Sequence, residues 1–261
     1  MNYRFYAKTD PGRTRDNNED SVVFDEATRV AVLADGMGGY NAGEIASGMA
    51  TAFIKSELSR WLSEAGPSAS SKEVRRAMEI CVDNANLSIF NAANSNASYF
   101  GMGTTLVVAV FRDDRLLVGH IGDSRCYRLR AGAMEQITKD HSLLQEQIDA
   151  GLISLEQAAN SSIKNLVTRA LGVDEVVMLD INEYLIEAGD LYLLCSDGLS
   201  DMVNDGAIAK IVTSDADLEV KTAQLIDAAN ANGGRDNISA LMVELKEATE
   251  KRGLIARLLG K

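Results

Sequence analysis

Six acidic residues, spread over more than two hundred positions, are the side chains most suited to chemistry in this sequence. They are Glu19 and Asp20 in RTRDNNEDS, Asp35 in ADGMGG, Asp123 in IGDSR, Asp197 in CSDGLSD and Asp236 in GGRDNIS. Carboxylates that follow apolar, strand-like runs and stand beside Gly or Asn belong at strand ends, where several loops can converge. Carboxylates that converge repel, and a like-charge pair about 4 Å apart costs on the order of 4 kcal/mol at an effective dielectric near 20. A hard cation removes that cost. A donor set made of oxygen alone, without His or Cys, suits Mg2+ or Mn2+. Plainer readings exist for some of these residues. Asp35-Gly36 is also a two-residue hairpin-turn signal, and Asp123 fits a turn between two strands; a further acid, Asp201, four residues after Asp197, reads as a charge at a helix N-terminus. The turn reading of Asp35 weakens because Ser196-Asp197-Gly198 repeats the arrangement after a second apolar run.

The elements that must position these residues follow from periodicity. Residues 22–24 and 29–34 are β-rich runs joined by a polar turn, the second delivering Asp35 at its end. Between 42 and 62, Ile45, Met49, Phe53, Ile54, Leu58, Trp61 and Leu62 recur at three- and four-residue steps, which predicts an amphipathic helix. GPSASS then forms a loop, with Ser70 or Ser71 capping a second helix to about Asn94. Strands are predicted at 104–111, 115–121, 125–129 and 134–137, and their close spacing implies antiparallel pairing. Short helical patterns lie at 143–150 and 155–159, further strands at 177–185 and 190–195, helices at 203–212 and 217–232, and a last strand at 237–245. Strands grouped with strands give an α+β class rather than alternating α/β.

Seven motifs stand in order: RxxNED (Arg15 to Asp20), DGMGG (Asp35 to Gly39), GxGTT (Gly101 to Thr105), GDSR (Gly122 to Arg125), TxDHS (Thr138 to Ser142), SDGL (Ser196 to Leu199) and GGRDN (Gly233 to Asn237). Together they resemble the metal-dependent PP2C-type protein serine/threonine phosphatases of bacterial type, over nearly the whole chain. The resemblance implies a four-layer αββα sandwich, two antiparallel sheets flanked by pairs of helices, filling residues 1–246 with a flap at about 142–175. It implies two core Mn2+ or Mg2+ ions and a third, looser one. Asp35 and the Gly36 carbonyl, with Asp197 and Asp236, would hold the core pair, Glu19 and Asp20 would hold waters or ligate directly, and Asp123 would serve the third beside Asp197. Arg15 would clamp the substrate phosphate, a task for which a planar guanidinium is suited, with Arg13 left in solvent. His141 would stand where the flap begins, in substrate handling or as a flap anchor. Animal-type relatives carry His directly after Asp-Gly as the proposed proton donor to the leaving alcohol, whereas this chain has Met37. The implied reaction is hydrolysis of phosphoserine and phosphothreonine by a metal-bridging water. Phosphorylated proteins, including a eukaryotic-like serine/threonine kinase and its substrates, are the implied partners. The alternative is a catalytically inactive, phosphate-sensing or scaffold protein of the same fold.

Composition agrees with this picture. A chain of 261 residues, 46% apolar, supports one large domain. A net charge of −12 argues against a nucleic-acid groove. Apolar runs are strand-length and no transmembrane segment is expected. MNYRFYAKTD shows no secretory signal, and Cys81, Cys126 and Cys195 read as reduced thiols, so a cytoplasmic monomer is expected. Residues 247–261 form a basic, weakly amphipathic tail. The residues six after each cysteine are Leu87, Gly132 and Asp201, never Arg, which excludes a cysteine-based phosphate loop. His120 fits a structural strand position, and neither histidine has zinc-site spacing.

Overall fold

The computed structural model describes residues 1–38, 42–154, 157–158 and 166–247. Its eleven strands form two antiparallel sheets. The first runs β1 (Asn2–Asp10), β11 (Ile238–Lys246), β10 (Leu191–Cys195), β7 (Arg125–Arg130), β8 (Ala133–Gln136). The second runs β2 (Asp20–Asp25), β3 (Val30–Met37), β5 (Leu106–Arg112), β6 (Arg115–Ile121), β9 (Asp180–Leu185), with β4 (Gly103–Thr104) paired to the end of β3.

The period-two alternation of strands sorts each run onto two apolar faces. Ala31, Leu33, Val107, Ala109 and Val118 meet Phe5, Tyr192, Leu194, Leu241 and Val243 between the sheets. Their strand neighbours Val30, Val32, Val108 and Val110 face α1 (Ala42–Ala65) and α2 (Ser71–Ser95). On the far side Leu191, Leu193, Ala240 and Met242 face α5 (Asp205–Val212) and α6 (Leu218–Ala231). Two shorter helices, α3 (Leu143–Asp149) and α4 (Asp197–Ser200), come between α2 and α5 in chain order. The expected αββα layering is the observed one.

Local predictions hold with instructive differences. Ser70 caps α2 in a full capping box with Glu73. In α1 the buried stripe is made mainly of small residues, among them Ala42, Gly43, Ala46, Ser47, Ala50 and Thr51, while Ile45, Met49, Phe53 and Trp61 are only partly buried. Small side chains let the first half of the helix lie close on β3, and of the large apolar residues that define its periodicity only Ile54, Leu58 and Leu62 are fully buried, in its second half. The strand β1 is absent from the sequence-based reading although it pairs with β11 over nine residues. It is an edge strand in which only Phe5 is buried, and its inward Tyr3, Phe5 and Ala7 alternate with the polar Arg4 and Lys8 and with Tyr6. The predicted helix at 155–159 and nearly all of the tail lie outside the described residues.

One buried polar side chain fastens the loops that carry the acidic motifs. Asn237, at the start of β11, donates from Nδ2 to Pro11 O (3.0 Å) and Asn17 O (2.8 Å) and accepts at Oδ1 from Glu19 N (2.7 Å). Replacing it with Ala strands three backbone groups. The expected loss is about 3 kcal/mol from the net worth of three such bonds, or a fall in Tm of roughly 5–10 °C. Differential scanning calorimetry of Asn237→Ala against wild type reads this directly; an unchanged Tm would remove Asn237 from its role as fastener.

Candidate active site

Asp35 is no turn residue. It lies inside β3, directly opposite Asp20 on β2. Two carboxylates facing each other across a strand pair destabilise the sheet on their own. The surrounding backbone allows nothing larger at Gly36, where a Cβ would overlap Gly43 O and stand 2.5 Å from Glu19 O. Thr104 and Thr105 hold the backbone of Asp35 from the other side. Thr104 Oγ1 and Thr105 N donate to Asp35 O at 2.8 and 2.9 Å, and Asp35 N donates to Thr105 Oγ1 at 3.0 Å.

The opposite sheet supplies Asp197 and Asp236. Asp197 opens α4 immediately after β10, and Gly198 packs so tightly that a Cβ would overlap Asn237 O. Ser196 bridges the sheets: its Oγ donates to Asp20 Oδ2 at 2.7 Å and accepts from Ser239 N at 2.9 Å. Asp236 precedes β11, and Arg15 Nη2 donates to its Oδ2 at 2.7 Å. The Arg15 side chain is 49% exposed, and Arg13 is exposed as expected.

Asp123 occupies the connection where the chain passes from β6 in one sheet to β7 in the other. Its neighbour Gly122 adopts φ +98°, and Ser124 Oγ lies 2.8 Å from Thr105 Oγ1. A cleft of 380 Å³ opens beside it, lined in part by Asp123, Asp140, Asp197, Asp201 and Arg125. Arg125 grips Asp140 through Nε (3.1 and 3.0 Å) and Nη2 (2.7 Å). Asp201 is at the C-terminal end of α4, not at a helix N-terminus, and its charge acts on Asp123 and Asp197. Sequence reasoning missed Asp140, Arg125 and Asn237 as parts of this assembly although all lie within the seven motifs; a polar side chain one or two positions from Asp123, His141 or Asp236 was the available signal.

The electrostatics record convergence. Burial, followed by the charges of Asp20, Asp197, Asp123 and Asp236, raises the Asp35 carboxyl well above the ordinary carboxylate range. Burial, then Asp123, Asp201, Asp236 and Asp20, does the same to Asp197. Burial leads the shift at Asp20, pushed up to about 6, and at Asp123, also about 6, where Asp140 adds to it. Asp20 Oδ1 is buried without a hydrogen-bond partner. An all-oxygen set of mutually repelling carboxylates with an orphaned buried acceptor fits hard divalent cations. Glu19 stands at the same place, its carboxylate against Gly43 at the start of α1.

Both ring nitrogens of His141 are engaged by groups other than the six acids. Its ring accepts from Gly122 N at Nδ1 (3.1 Å) and meets Asp180 Oδ2 at Nε2 (3.2 Å), while its backbone binds Gly122 O and Thr168 N. Burial, with His120 second, lowers its pKa. His120 stacks on it with ring centroids 4.7 Å apart, and the two histidines with Asp180 form a group within 4.8 Å that sequence spacing does not reveal.

Comparison with known proteins places this geometry. Residues 13–242 match the model of the family described as Protein phosphatase 2C. The chain is 38% identical over 240 residues to the serine/threonine phosphatase stp of Listeria innocua, covering 91% of this chain and 94% of that protein. It superposes on the crystal structure of the Mycobacterium tuberculosis serine/threonine phosphatase PstP/Ppp with a TM-score of 0.87 at 36% identity, covering 94% and 100% of the two chains. The catalytic domain of PstP in complex with two manganese ions gives 0.83 at 36% identity, covering 94% and 99%. With its acidic motifs gathered from both sheets onto one spot and matched across nearly its full length, the chain belongs to the protein phosphatase 2C family of metal-dependent serine/threonine phosphatases.

Proposed function

We propose that residues 1–246 act as one phosphatase unit that removes phosphate from phosphoserine and phosphothreonine in proteins. The observation that carries this reading is the convergence of Asp20, Asp35, Asp123, Asp197 and Asp236, each raising the others' proton affinity or sharing their enclosure. Asp35, the Gly36 carbonyl, Asp197 and Asp236 would hold two Mn2+ or Mg2+ ions, Glu19 and Asp20 would orient water around them, and Asp123 beside Asp197 would take a third. When bound, such ions supply a water of lowered pKa and positive charge opposite the phosphoryl oxygens. The manganese complex of PstP supports this choice of ion.

The chain's own residues then divide the work. Arg15 is held at the mouth by Asp236, which spends part of its fork, and its remaining donors are open to meet two phosphate oxygens and fix the line of attack. Met37 has no proton to give to the departing oxygen. His141, locked to Gly122, sets the loop that carries Asp123 and ties it to the flap at Thr168. An inactive scaffold would be expected to have lost a carboxylate, and none of the six is missing. The phosphoproteins served are those of an opposing serine/threonine kinase, and the kinase itself is a candidate substrate. We place the reaction in the cytoplasm, performed by a monomer. No helix among the described residues is long and apolar enough to cross a membrane.

The direct test is dephosphorylation of a phosphothreonine peptide by the purified protein, abolished by chelator and restored by Mn2+ or Mg2+. Within that assay Arg15→Ala should lower kcat/KM by roughly 10² to 10³-fold, the scale of losing one preorganised electrostatic contact, whereas Arg13→Ala should change it little. The reverse order would place the phosphate elsewhere.

The raised carboxyls also make a stability prediction for the metal-free protein. Asp20 and Asp123 are pushed up to about 6, and Asp35 and Asp197 are raised as well, so the folded chain binds protons near pH 5 that the unfolded chain, with carboxyls near 4, has released. Stability in chelator should therefore be greater at pH 5 than at pH 7.5, being lost as pH rises through the folded values. Saturating Mn2+ at a thousand times Kd should add about 4 kcal/mol at pH 7.5. Asp35→Asn should stabilise the metal-free protein while abolishing turnover. Urea titrations at the two pH values, with and without Mn2+, decide it; equal midpoints in chelator would mean the carboxylates do not share one site.

A further inference from the structure

A segment joined to the Asp35 backbone through Thr104 carries apolar side chains in exposed positions. Thr104, whose Oγ1 donates to Asp35 O, also exchanges backbone hydrogen bonds with Leu171, N to O at 3.0 and 2.8 Å. Leu171 is fully buried. Gly172 follows at φ +82° and lies so close to Ile89 of α2 that a Cβ would overlap Ile89 Cγ2. Asn86, also on α2 and 1% exposed, then fastens the next turn with three bonds: Gly172 N to its Oδ1 (2.8 Å), and its Nδ2 to Asp174 O and Glu175 O (both 3.0 Å). Residues 171–175 are thereby fixed at the edge of the strand pair that holds Asp35.

Val173 stands at the crest of this segment, 51% exposed. A Cβ placed on Gly103 would lie 2.9 Å from Val173 Cγ2 and 3.2 Å from Met37 Cε, so the bare glycine lets these two side chains close over one spot. Met37 pairs with Gly103 and directly follows Gly36. Farther along, Val176 and Met178 are 80% and 73% exposed, while the alternating Val177 and Leu179 pack inward on the helix-side core. A segment pinned beside a charged site and followed closely in the chain by exposed apolar side chains has the character of an interaction surface. Its continuity with Asp35 through Thr104 and Met37 says which molecule it meets: whatever brings a phosphate to Asp35 also passes Val173.

We propose that Met37, Val173, Val176 and Met178 form a substrate ledge that receives an apolar side chain flanking the phosphorylated residue, and that Asn86 is the positioning residue that holds the ledge. The inference rests on the protein-phosphatase reading above. It makes the enzyme selective for phosphoproteins with Leu, Ile, Val or Met near the phosphorylated residue.

The experiment compares two phosphothreonine peptides, one with Leu and one with the near-isosteric Asn in the flanking positions, with an aryl phosphate as reference substrate. For wild type, kcat/KM should favour the Leu peptide by about tenfold, the scale of one apolar side-chain contact, mainly through KM. Val173→Asp and Met178→Asp, both at exposed positions, should erase that preference. Asn86→Ala should reduce it, with the peptide-to-aryl-phosphate ratio falling. A labelled Leu peptide carrying a non-hydrolysable phosphonate should show the same order in fluorescence anisotropy. Peptide turnover with no flank preference in wild type overturns the ledge alone. Turnover of aryl phosphate but of neither peptide overturns the ledge together with the protein-phosphatase reading. A wild-type dimer that Val173→Asp dissociates would assign the strip to a second copy and overturn the proposal.

Discussion

Repulsion among carboxylates is the constraint around which this molecule is arranged. Asp20 and Asp35 come from one sheet, Asp197 and Asp236 from the other, and Asp123 from the point where the chain crosses between them. No single element could carry so many negative groups this close together. The sandwich tolerates them because three apolar layers, two under the helices and one between the sheets, supply attraction over a much larger area. Local rules of sheet stability are broken at one end and obeyed nearly everywhere else, the pattern expected where a fold gives up stability for a site.

What keeps the acids in place is a set of neutral polar groups that have little to do with charge. Thr104 and Thr105 hold the Asp35 backbone, Ser196 joins Asp20 to β11, and Asn237 ties the loop before β11 to three points of the β1–β2 connection. Each is buried and satisfied, which is what allows it to specify position to within a few tenths of an ångström. The glycines at 36, 43 and 198 contribute by absence, since each lies where backbone or carboxylate from another segment occupies the space of a side chain.

Much of this was legible in the sequence. The apolar runs of β5 and β10 and the capping box of α2 announce themselves through local pattern, and the acidic motifs through residue type beside Gly. Three kinds of feature were not legible. The edge strand β1 sends Tyr3, Phe5 and Ala7 to the core between the sheets, but the polar residues set between them leave no apolar run to mark it. The depth of α1 against β3 is written in alanines and glycines, which carry almost no periodic signal. The stacking of His120 on His141 and the grip of Arg125 on Asp140 depend on how the β6 to β8 segment folds back on itself, a property of turn geometry that spacing alone leaves open.

The pairing of β1 with β11 has a consequence for the life of the chain. These strands lie at opposite ends of the sequence, yet Asn237 closes on Pro11, Asn17 and Glu19, so the pocket exists only once the two ends have met. Contacts of such long sequence separation form late, because a large loop must be closed before any of them is rewarded. A ribosome delivers Glu19 and Asp20 more than two hundred residues before the strand that organises them. Until that strand has been made, Asn237 cannot hold Pro11, Asn17 and Glu19, and the site lacks Asp236.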